Sequence, residues 1–525
     1  MSTNPLINNL LSSKPHDNPT SQLGLIETHV SWVILTGEYA YKIKKPVNFE
    51  FLDFSTLEKR KYYCEEELRL GQQFASEIYL AVVPITGTKE QPQINGTGPI
   101  LEYAIKMREF PQENLLSSLL KQKLLTENII DQLSKLIADF HKKTPLAPQK
   151  SHFGLPKEVH APTKQNFEQT APLLSNQTDI KQLKRLETWA DEQFNQHYAL
   201  LQERKKQGFI RDCHGDLHLA NIILYKNKPM LFDRLEFNED LRWTDVIADL
   251  AFLMMDLTEK KQLRFSNQLL NTYLSYTGDY QGLALLPYYL TYRAVVRAKI
   301  ALFRLAQPGL NDKEKQEIKN EYYNFIKLAE FYTLPSNPCL IITHGFAGSG
   351  KTTTAKNIAK YCGAIQVNSD IIRKRLFHIP INSRSNSGVN SGIYTSEATK
   401  ETYKELVYFS KLIVISGFTV VIDASFLLQA QRAIFYEIAN QLKVPFFILH
   451  CQAKDFEIER RIKNRLKNKT SVSEADLTIL NEQKKISEPL NNEEKKHTFI
   501  IDDKHTSLKT ALKKICPHIL PLTNH

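Results

Sequence analysis

The chain of 525 residues carries 68 Lys and Arg residues against 57 Asp and Glu residues, a formal net charge of +11, and 42% of its residues are hydrophobic. This length fits two to four domains of roughly 100–200 residues each, with the composition of an ordinary globular protein. Because the sequence has no run of about 18 apolar residues, we predict no membrane-spanning helix and no membrane partner.

The first 24 residues are polar and rich in Asn, Ser and Pro. They have neither the basic start nor the apolar centre of a secretory signal, so we predict a flexible tail over residues 1–24. The six cysteines lie far apart, without a CxxC pair or the His/Cys spacing of a zinc site. This pattern favours reduced, mostly buried thiols in a cytoplasmic protein.

The positive charge is concentrated in the C-terminal part of the chain. Residues 336–525 contain 27 of the 68 Lys and Arg residues but only 17 of the 57 Asp and Glu residues. Two interpretations fit this surplus equally well. It forms a solvated basic surface, or it binds nucleic acid or a nucleotide.

Alternating apolar residues predict a sheet with one helix at the start of the folded part. Residues 30–35 and 40–44 predict a hairpin, and a helical period follows from Ser55, a candidate cap, to Phe74. Two further strands are predicted at 78–85 and 100–107. The order strand, strand, helix, strand, strand is that of the N-terminal lobe of a protein kinase.

Lys42 and Lys44 lie on one face of their predicted strand because side chains alternate with a period of two. We expect Lys42 to contact nucleotide phosphates and to pair with Glu67, with Glu66 as the other possible partner. A lysine on a strand is otherwise most often a solvated charge. Since no Gly-rich loop precedes this strand, we expect residues 27–31 to cover the phosphates instead.

Helical patterns dominate the next hundred residues. Amphipathic runs predict helices at 115–122, 127–142 and 179–202, with a loop rich in Pro, Ser and Thr at 144–175. His141, at the end of the second helix, is predicted to be a cap or a packed core histidine rather than a ligand.

The stretch from Cys213 to Asp233 carries the chemistry of the first half. It contains H-G-D-x-x-x-x-N, a short hairpin and an aspartate at the end of that hairpin. Phosphoryl transfer needs a carboxylate that accepts the proton of the attacking hydroxyl, which is the role expected of Asp216. Magnesium prefers hard oxygen ligands, which Asn221 and Asp233 would supply. A surface turn rich in Asp, His and Asn is the alternative.

With these motifs, residues 25–330 resemble the aminoglycoside phosphotransferase family, in the broad sense that includes choline-kinase-like and other small-molecule kinases. The resemblance implies a two-lobed, protein-kinase-like fold that binds ATP and magnesium. It implies Asp216 as the catalytic base and Asn221 and Asp233 as magnesium ligands. Because the family uses many acceptors, it implies phosphorylation of a small hydroxyl compound without saying which one.

The same resemblance implies that His214 and Asp249 orient the catalytic loop. The chain departs from the family at residues 234–236, where Arg-Leu-Glu replaces the aromatic residue or glycine that often follows the metal aspartate. This departure leaves the local nucleotide geometry open.

A predicted helix at 288–307 carries three arginines near one face. They are Arg293, Arg297 and Arg304, spaced by four and seven residues. Either they form a solvated or salt-bridged stripe, or they line the pocket of a phosphorylated or carboxylated acceptor.

Residues 333–338 interrupt the helical pattern and predict a linker between domains at 25–332 and 339–525. The second domain opens with an apolar strand, the loop G-F-A-G-S-G-K-T and a helix, which is the context of a P-loop. Backbone N–H groups at the helix start would bind the phosphates, and Lys351 would reach the β- and γ-phosphates. The residues expected to bind the nucleotide are Gly345, Gly348, Ser349, Gly350, Lys351, Thr352 and Thr353, with Thr352 also a magnesium ligand.

The next strand, at 364–367, leads into an aspartate and an arginine one turn apart on a helix. Asp370 can take a proton from an acceptor hydroxyl, and Arg373 can hold the acceptor or the transferring phosphate. This D-x-x-R pattern resembles P-loop kinases related to zeta toxins, polynucleotide kinases and chloramphenicol phosphotransferase, which implies the same two roles. The alternative is that Asp370, or Ser369, only caps the helix.

Asp423 ends another buried strand and is expected to hold magnesium in the manner of a Walker B residue. A basic helix at 455–469 follows at the place where such kinases carry a lid. Arg461 and Arg465, four residues apart, are expected either to close on the phosphates or to lie on a basic surface helix.

These observations predict α/β and α+β structure, with a protein-kinase-like two-lobed fold followed by a P-loop NTPase domain with a parallel sheet. The pairing is similar to bacterial fusion proteins that join an aminoglycoside-phosphotransferase-like domain to an AAA-family ATP-binding domain. Our leading hypothesis is a bifunctional kinase of a small molecule or nucleotide, with Mg-ATP in both domains. The alternatives are one catalytic and one regulatory nucleotide-binding domain, and a nucleic-acid end kinase or RNA-binding protein.

Overall fold

The computed structural model describes residues 4–12, 23–49, 52–381, 383, 385, 392–467, 476–502 and 505–515. The chain divides into two compact units, residues 1–166 with 194–256, and residues 167–193 with 257–525. This division differs from the expected boundary at 333–338, since the helices after residue 257 cluster with the C-terminal part. Within the described ranges, no helix is long and apolar enough to cross a membrane.

The first unit contains a six-stranded antiparallel sheet with the order β1-β2-β3-β8-β6-β7. Lys42 lies in the middle of this sheet, opposite Val33 on one neighbouring strand and Ile105 on the other. The sheet strands are β1 (Gly24–Glu27), β2 (Ser31–Leu35), β3 (Tyr39–Lys44), β6 (Tyr79–Gly87), β7 (Pro92–Ile94) and β8 (Ile100–Arg108), and a separate ribbon contains β4 (Asn48–Phe49) and β5 (Leu52–Asp53).

A helix, α1 (Pro5–Ser12), lies where the sequence predicted a flexible tail. Ile7 and Leu10, three residues apart, are fully buried in one cluster with Trp32 and Ile34 of the sheet. Burying an aliphatic side chain of this size stabilises a fold by about 1.5–3 kcal/mol, which is enough to hold a short helix in place. Residues 13–22 of the expected tail lie outside the described residues.

The helix that packs on this sheet is α2 (Leu57–Ala75), and it begins one residue later than a cap at Ser55 would allow. Thr56 is the N-cap instead, because its hydroxyl accepts a hydrogen bond from the Lys59 backbone N–H at 3.3 Å. Glu67 lies on the buried face of α2 and is 1% exposed.

The rest of the first unit is mainly helical, with two short antiparallel ribbons, β9–β12 and β10–β11. Helix α5 replaces most of the loop predicted at 144–175. Its buried residues include His160, Thr163 and Asn166, so its inner face is polar and lacks the apolar period that signals a helix. The elements are α3 (Leu116–Lys121), α4 (Glu127–Lys143), α5 (Pro156–Thr170), α6 (Gln177–Lys206), β9 (Ile210–Asp212), β10 (Ile222–Tyr225), β11 (Lys228–Leu231), α7 (Glu239–Arg242), β12 (Trp243–Asp245) and α8 (Val246–Glu259). The end of α5, the first part of α6 up to residue 193 and the last residues of α8 belong to the second unit.

The second unit contains a five-stranded parallel sheet with the order β14-β15-β13-β16-β17. Every residue of β13 and β15 is buried, as expected for strands covered on both faces. The strand order reverses at β13, and ligands of such sheets bind beyond the carboxyl ends of the strands at the reversal. The strands are β13 (Leu340–His344), β14 (Ile365–Asn368), β15 (Val420–Asp423), β16 (Phe446–Cys451) and β17 (Thr498–Ile501).

Besides residues 167–193, the described part of the second unit contains three helices that precede this sheet in the chain and eight that follow its first strand. They are α9 (Leu263–Thr277), α10 (Leu286–Leu305), α11 (Asp312–Thr333), α12 (Lys351–Cys362), α13 (Ser369–Leu376), α14 (Ser396–Ile415), α15 (Gln429–Gln441), α16 (Asp455–Lys467), α17 (Leu477–Ile486), α18 (Asn492–Lys496) and α19 (His505–Ile515). A kinase-like part followed by a P-loop domain with a parallel sheet is the fold class that the sequence predicted.

The arginine stripe on α10 is salt-bridged. Arg297 and Arg304 lie 3.6 Å and 2.8 Å from the carboxylate oxygens of Glu321 on α11, and Arg293 is 5% exposed. The structure therefore favours the interpretation of a helix-packing face over that of an acceptor pocket.

The cysteines differ in part from the expectation of reduced thiols. Cys64, Cys213, Cys339 and Cys451 are free and buried, whereas Cys362, at the end of α12, is disulfide-bonded. Cysteines that are distant in sequence have no local pattern by which such a bond could be predicted.

Candidate active sites

The first candidate site begins at two lysines of β3 that bind the same carboxylate. Lys42 Nζ lies 2.8 Å from Oε1 of Glu67, the partner expected from the sequence, and Lys44 Nζ lies 2.8 Å from Oε2. Lys44 also forms an ion pair with Glu236, and both side chains are less than 10% exposed. From the sequence we expected Lys42 to pair with Glu67, whereas in the structure both Lys42 and Lys44 bind this carboxylate.

Neighbouring opposite charges keep Glu67 and Lys42 ionised, although burial disfavours the charged form of each. Burial alone would raise the pKa of Glu67, but Lys42 and Lys44 outweigh it and hold that pKa at about 2. Burial works against the charge of Lys42, yet the carboxylates of Asp233, Glu67 and Glu236 raise its pKa well above the usual range. Lys42 is therefore a fixed positive charge at the centre of the site.

Lys42 also reaches the candidate metal ligand Asp233, with 2.6 Å between Nζ and Oδ1. Asp233 has a left-handed backbone with φ of 60°, and its N–H donates to the hydroxyl of buried Tyr79 at 3.0 Å. A non-glycine residue in this conformation needs support from its surroundings. Tyr79, which no sequence motif indicates, provides part of that support.

The loop before β10 is held by Asp249 of α8. Its carboxylate accepts the backbone N–H groups of His214 and Gly215, at 3.2 Å and 2.9 Å. It also lies 3.1 Å from Nε2 of His141, which is 2% exposed and is thus the packed core histidine predicted from the sequence. The His214 ring donates from Nε2 to the Phe232 carbonyl at 2.9 Å, joining the loop to the strand end before Asp233.

Asp216 projects from this loop with a side chain that is 38% exposed. Its Oδ2 accepts a hydrogen bond from Nδ2 of Asn221 at 2.9 Å and lies 3.3 Å from Nε2 of His218. Because Nδ2 of Asn221 is directed at Asp216, the amide oxygen is the atom that remains to bind a metal. A carboxylate and an amide oxygen are donors that suit Mg²⁺, so Asn221 and Asp233 fit this ion.

The departure at residues 234–236 has a structural explanation. Arg234 donates to the carbonyls of Asp212 and Cys213 at 2.9 Å and 3.0 Å, and so binds the backbone just before the loop that carries Asp216. Glu236 binds Lys44. Arg234 thus holds the backbone of the candidate site and Glu236 holds one of its lysines. These contacts explain why polar residues replace the aromatic residue or glycine here.

Residues 28–30 form the turn between β1 and β2, at the place where the sequence predicted a cover for the phosphates. The turn is closed by a hydrogen bond from the Thr28 N–H to the Ser31 carbonyl at 2.9 Å. The Ser31 side chain is 1% exposed, and its hydroxyl has no hydrogen-bond partner among the described residues.

The second candidate site is a loop between β13 and α12. Gly345 has φ of +139°, and a Cβ there would lie 2.5 Å from the Cys451 carbonyl, so this position requires glycine. Lys351 Nζ donates to the Phe346 carbonyl at 2.7 Å, across the loop formed by residues 345–350. The first-turn residues of α12, Thr352 and Thr353, are exposed at the mouth of this loop.

Asp423, at the end of β15, is 2% exposed and is held by side chains of the neighbouring strand. Its Oδ2 accepts from Nδ2 of Asn368 at 2.6 Å and from Nε2 of Gln366 at 2.9 Å. Burial raises its pKa, against the effect of Asn368, Lys351, Thr352 and Gln366. A hydrogen bond joins Asp423 to Thr352. The two residues predicted to share one magnesium ion therefore lie together, as a donor set of carboxylate and hydroxyl that suits it.

Asp370 and Arg373 lie one turn apart on α13, with 3.4 Å between Oδ1 and Nη1. Neither Asp370 nor Ser369 caps the helix, because Asn368 accepts the backbone N–H groups of Asp370 and Ile371. Arg373 is 8% exposed, stacks on Tyr394 at 4.8 Å, and its Nε has no partner among the described residues. Because Asn368 caps the helix, the carboxylate of Asp370 is not needed as a cap and can serve as a proton acceptor.

The basic helix α16 packs against the P-loop, because Ile458 and Ile462 lie in one buried cluster with Ala347. Nη1 of Arg461 lies 3.5 Å from the Gly348 carbonyl. The side chain of Arg465 lies outside the described residues, as does residue 469 of the predicted helix. Arg432, on α15, is 1% exposed and binds Glu494 at 2.7 Å, so it is a buried structural residue.

Two histidines at the strand ends beside the P-loop were not indicated by any motif. His344 and His450 are paired in the register of β13 and β16, with 2.5 Å between their Nδ1 atoms. Burial, followed by the charges of His450, Arg432 and Lys351, lowers the pKa of His344 to about 3. Burial also lowers the pKa of His450.

Comparison with protein families gives a separate match in each part of the chain. Residues 61–286 match the profile of a phosphotransferase enzyme family, and residues 340–490 match the profile of an AAA domain. The two-part resemblance stated from the sequence is thereby confirmed. The chain is also 29% identical over 402 residues to uncharacterised proteins of Mycobacterium tuberculosis and Mycobacterium bovis, covering 76% of this chain and 77% of theirs.

Solved structures align with each part at low identity. An amicoumacin kinase covers 62% of this chain and 94% of its own at 12% identity, with a TM-score of 0.39. A choline/ethanolamine kinase family protein from Mesorhizobium loti covers 62% and 99% at 10% identity, with a TM-score of 0.37. A sugar kinase from Janibacter covers 36% and 99% at 19% identity, with a TM-score of 0.27.

Proposed function

We propose that this chain, which joins a phosphotransferase-family segment to an AAA-domain segment, is a two-site ATP-dependent kinase that phosphorylates hydroxyl groups of small molecules or nucleotides. Each site would bind Mg-ATP. The limits proposed for the two catalytic parts are 25–332 and 339–525, with a linker at 333–338.

In the first site, Asp216 would accept the proton of the acceptor hydroxyl as that oxygen attacks the γ-phosphorus. Its exposed carboxylate is oriented by Asn221, and the loop that carries it is fixed by Asp249. Lys42 would neutralise phosphate charge, with Glu67 holding its ammonium group in position. Magnesium, held by Asn221 and Asp233, would supply further charge neutralisation on the phosphates.

In the second site, backbone N–H groups at the start of α12 and the ammonium group of Lys351 would bind the phosphates. Asp370 would accept the acceptor proton. Arg373 is buried, and its Nε has no partner in the described part of the chain. Its guanidinium would hold the acceptor or the transferring phosphoryl group, and Arg461 would approach from α16. Thr352 and Asp423 would bind the magnesium ion.

The observation that carries the proposal is the position of Lys42 between Glu67 and Asp233. A lysine on a strand is ambiguous by itself, but one that bridges a helix glutamate and the aspartate after a hairpin has the arrangement that phosphate and metal binding require.

The test uses three full-length variants, Asp216→Ala, Lys351→Ala and the double variant. Each is assayed for transfer of ³²P from ATP to a panel of nucleosides, sugars, amino alcohols and short oligonucleotides with free 5′-hydroxyls. We expect each single variant to lose a different subset of products and the double variant to lose all of them. If one single variant abolishes every product, the second site is regulatory and the two-site proposal is wrong.

A further inference from the structure

Helix α9 presents three residues, spaced by four, to the framework of the P-loop site. They are Asn267, Asn271 and Ser275, which lie on one face of the helix because of this spacing. Together they form what we call the α9 contact surface. Residues 263–277 belong to the stretch that matches the phosphotransferase family, yet they lie in the same compact unit as the parallel sheet.

The first contact is at the end of the P-loop helix. Asn267, which is 8% exposed, donates from Nδ2 to the Lys360 carbonyl at 3.0 Å. Lys360 lies in the last turn of α12, the helix whose first residue is Lys351. The α9 contact surface thus holds the far end of the helix that binds the phosphates.

The second contact is made with the edge strand of the sheet. Asn271 donates to the Ala364 carbonyl at 3.0 Å, and its Oδ1 accepts the Gln366 N–H at 2.7 Å. These two backbone groups flank Ile365 and face away from β15, so they are the pair that a further strand would use. The Asn271 amide therefore completes the hydrogen bonding of an edge that would otherwise be open.

The third contact is at the end of α13. Arg375 donates from Nη2 to the Ser275 carbonyl at 2.9 Å and hydrogen-bonds Tyr280. Gly278 ends α9 with φ of +76°, and a Cβ there would lie 2.8 Å from Cζ of Arg375. The left-handed backbone at this position favours glycine, and the absence of a side chain lets Arg375 approach closely.

The element held between the second and third contacts carries the chemistry of the second site. From β14, Gln366 and Asn368 bind Asp423. From α13, Asp370 and Arg373 form the candidate acceptor side. A shift of β14 would displace Asp370 and Arg373 relative to the P-loop. It would also displace Gln366 and Asn368, which hold the carboxylate of Asp423 at the end of β15.

We propose that Asn271 is a positioning residue for the P-loop site, acting through β14 to place Asp370, Arg373 and Asp423 relative to Lys351. This inference rests on the proposed function of that site. The Asn271 side chain binds the Ala364 carbonyl and the Gln366 N–H, so it would act through the strand.

The test compares Asn271→Leu and Asn271→Asp, each in a full-length Asp216→Ala chain, so that ATP turnover reports the P-loop site alone. Asn320→Ala, which alters an exposed asparagine of α11, is the matched control. We measure MgATP hydrolysis with water as the acceptor, the KM for MgATP, and hydrogen exchange of the Gln366 amide.

We expect Asn271→Leu to lower kcat by about 10- to 100-fold with the KM for MgATP unchanged, because small displacements of reacting groups cost rate rather than nucleotide affinity. The Gln366 amide should exchange faster. Asn271→Asp keeps the acceptor for Gln366 but turns an oxygen toward the Ala364 carbonyl, so a smaller loss of kcat is expected. This milder variant serves if the leucine variant does not fold.

Unchanged exchange of the Gln366 amide overturns the inference, as does faster exchange with an unchanged kcat or a parallel loss of MgATP affinity. Absence of Lys351-dependent turnover in the Asp216→Ala parent is a different result. It overturns the proposed function of the second site, and this inference falls with it.

Discussion

Lys44 Nζ lies 2.8 Å from Oε2 of Glu67, the carboxylate whose other oxygen, Oε1, lies 2.8 Å from Lys42. One buried glutamate thus orients two strand lysines with different second partners. Lys42 turns toward Asp233, on the side of the candidate metal site, and Lys44 turns toward Glu236. The two lysines are therefore expected to differ in role, one in chemistry and one in stability.

Lys44→Met should destabilise the first unit without directly removing a phosphate contact. It leaves Glu236 buried without its partner, and breaking a buried ion pair from one side costs about 3–5 kcal/mol. Urea unfolding of the purified variant measures this loss. Lys206→Met, which removes an exposed pair with Glu203, should leave the midpoint unchanged, and an equal effect of the two changes would contradict the prediction.

Lys42→Met should reduce the turnover of the first site by at least about a hundredfold, because a fixed charge on the phosphates is lost from a preorganised site. The assay is run in a Lys351→Ala chain, so that only the first site contributes. Lys44 remains in this variant and has its own partners, so it should not rescue transfer. Turnover within tenfold of the parent would show that Lys42 is not part of the reaction.

Asp249→Asn should lower the kcat of the first site by about 10- to 100-fold with little change in the KM for ATP. The N–H groups of His214 and Gly215 donate to different oxygens of Asp249, so the new amide places its NH₂ group against one of them, and the loop that carries Asp216 would shift. Asp240→Asn alters an exposed carboxylate that contacts His152 and is the control. A raised KM with normal kcat would place Asp249 in nucleotide binding instead.

Much of the fold followed from local patterns. The predicted strands of the kinase-like sheet and of the parallel sheet are present, because alternation and continuous apolar runs report burial directly. Helix α5 was missed because its buried side is polar, at His160 and Thr163. Helix α1 was missed because only two residues, Ile7 and Leu10, anchor it.

The candidate site residues also divide into those that a local motif indicates and those that only the fold brings together. Asp216, Asn221 and the P-loop stand in motifs with fixed spacing, so sequence could indicate them. Lys44 and Glu236 are 192 positions apart, and only the fold brings them into contact. No spacing rule predicts such a pair, and the same holds for His344 and His450.

The buried His344 predicts that stability falls in mild acid. Its pKa is about 3 in the folded chain against 6.5 for an ordinary histidine, so the unfolded state binds a proton below pH 6.5 that the folded state does not. Stability is thus intact above this pH and decreases as pH falls toward 3. Between pH 7.5 and 5 the loss should be about 2 kcal/mol.

Urea midpoints of the wild type and of His344→Gln, taken at both pH values, test this. The glutamine variant should lose part of the pH dependence, because glutamine does not titrate. The remaining part would come from His450, whose pKa is also lowered by burial. Parallel pH curves for the two chains would contradict the assignment.

Arg432→Ala should destabilise the second unit strongly. The guanidinium is 1% exposed and binds Glu494 together with the carbonyls of Phe426 and Leu427, so its removal leaves a carboxylate and carbonyls unpaired at about 3–5 kcal/mol. Arg460→Ala, an exposed arginine paired with Glu457, should change stability by less than about 1 kcal/mol. Thermal unfolding distinguishes the two, and similar melting temperatures would refute the prediction.

The edge position of β14 has a practical consequence for dissecting the protein. Cutting the chain at 333–338 would remove α9 and expose the backbone groups of Ala364 and Gln366 that Asn271 now binds. An open edge strand pairs readily with other chains. A fragment that starts at residue 339 should therefore aggregate more readily than one that starts before residue 263.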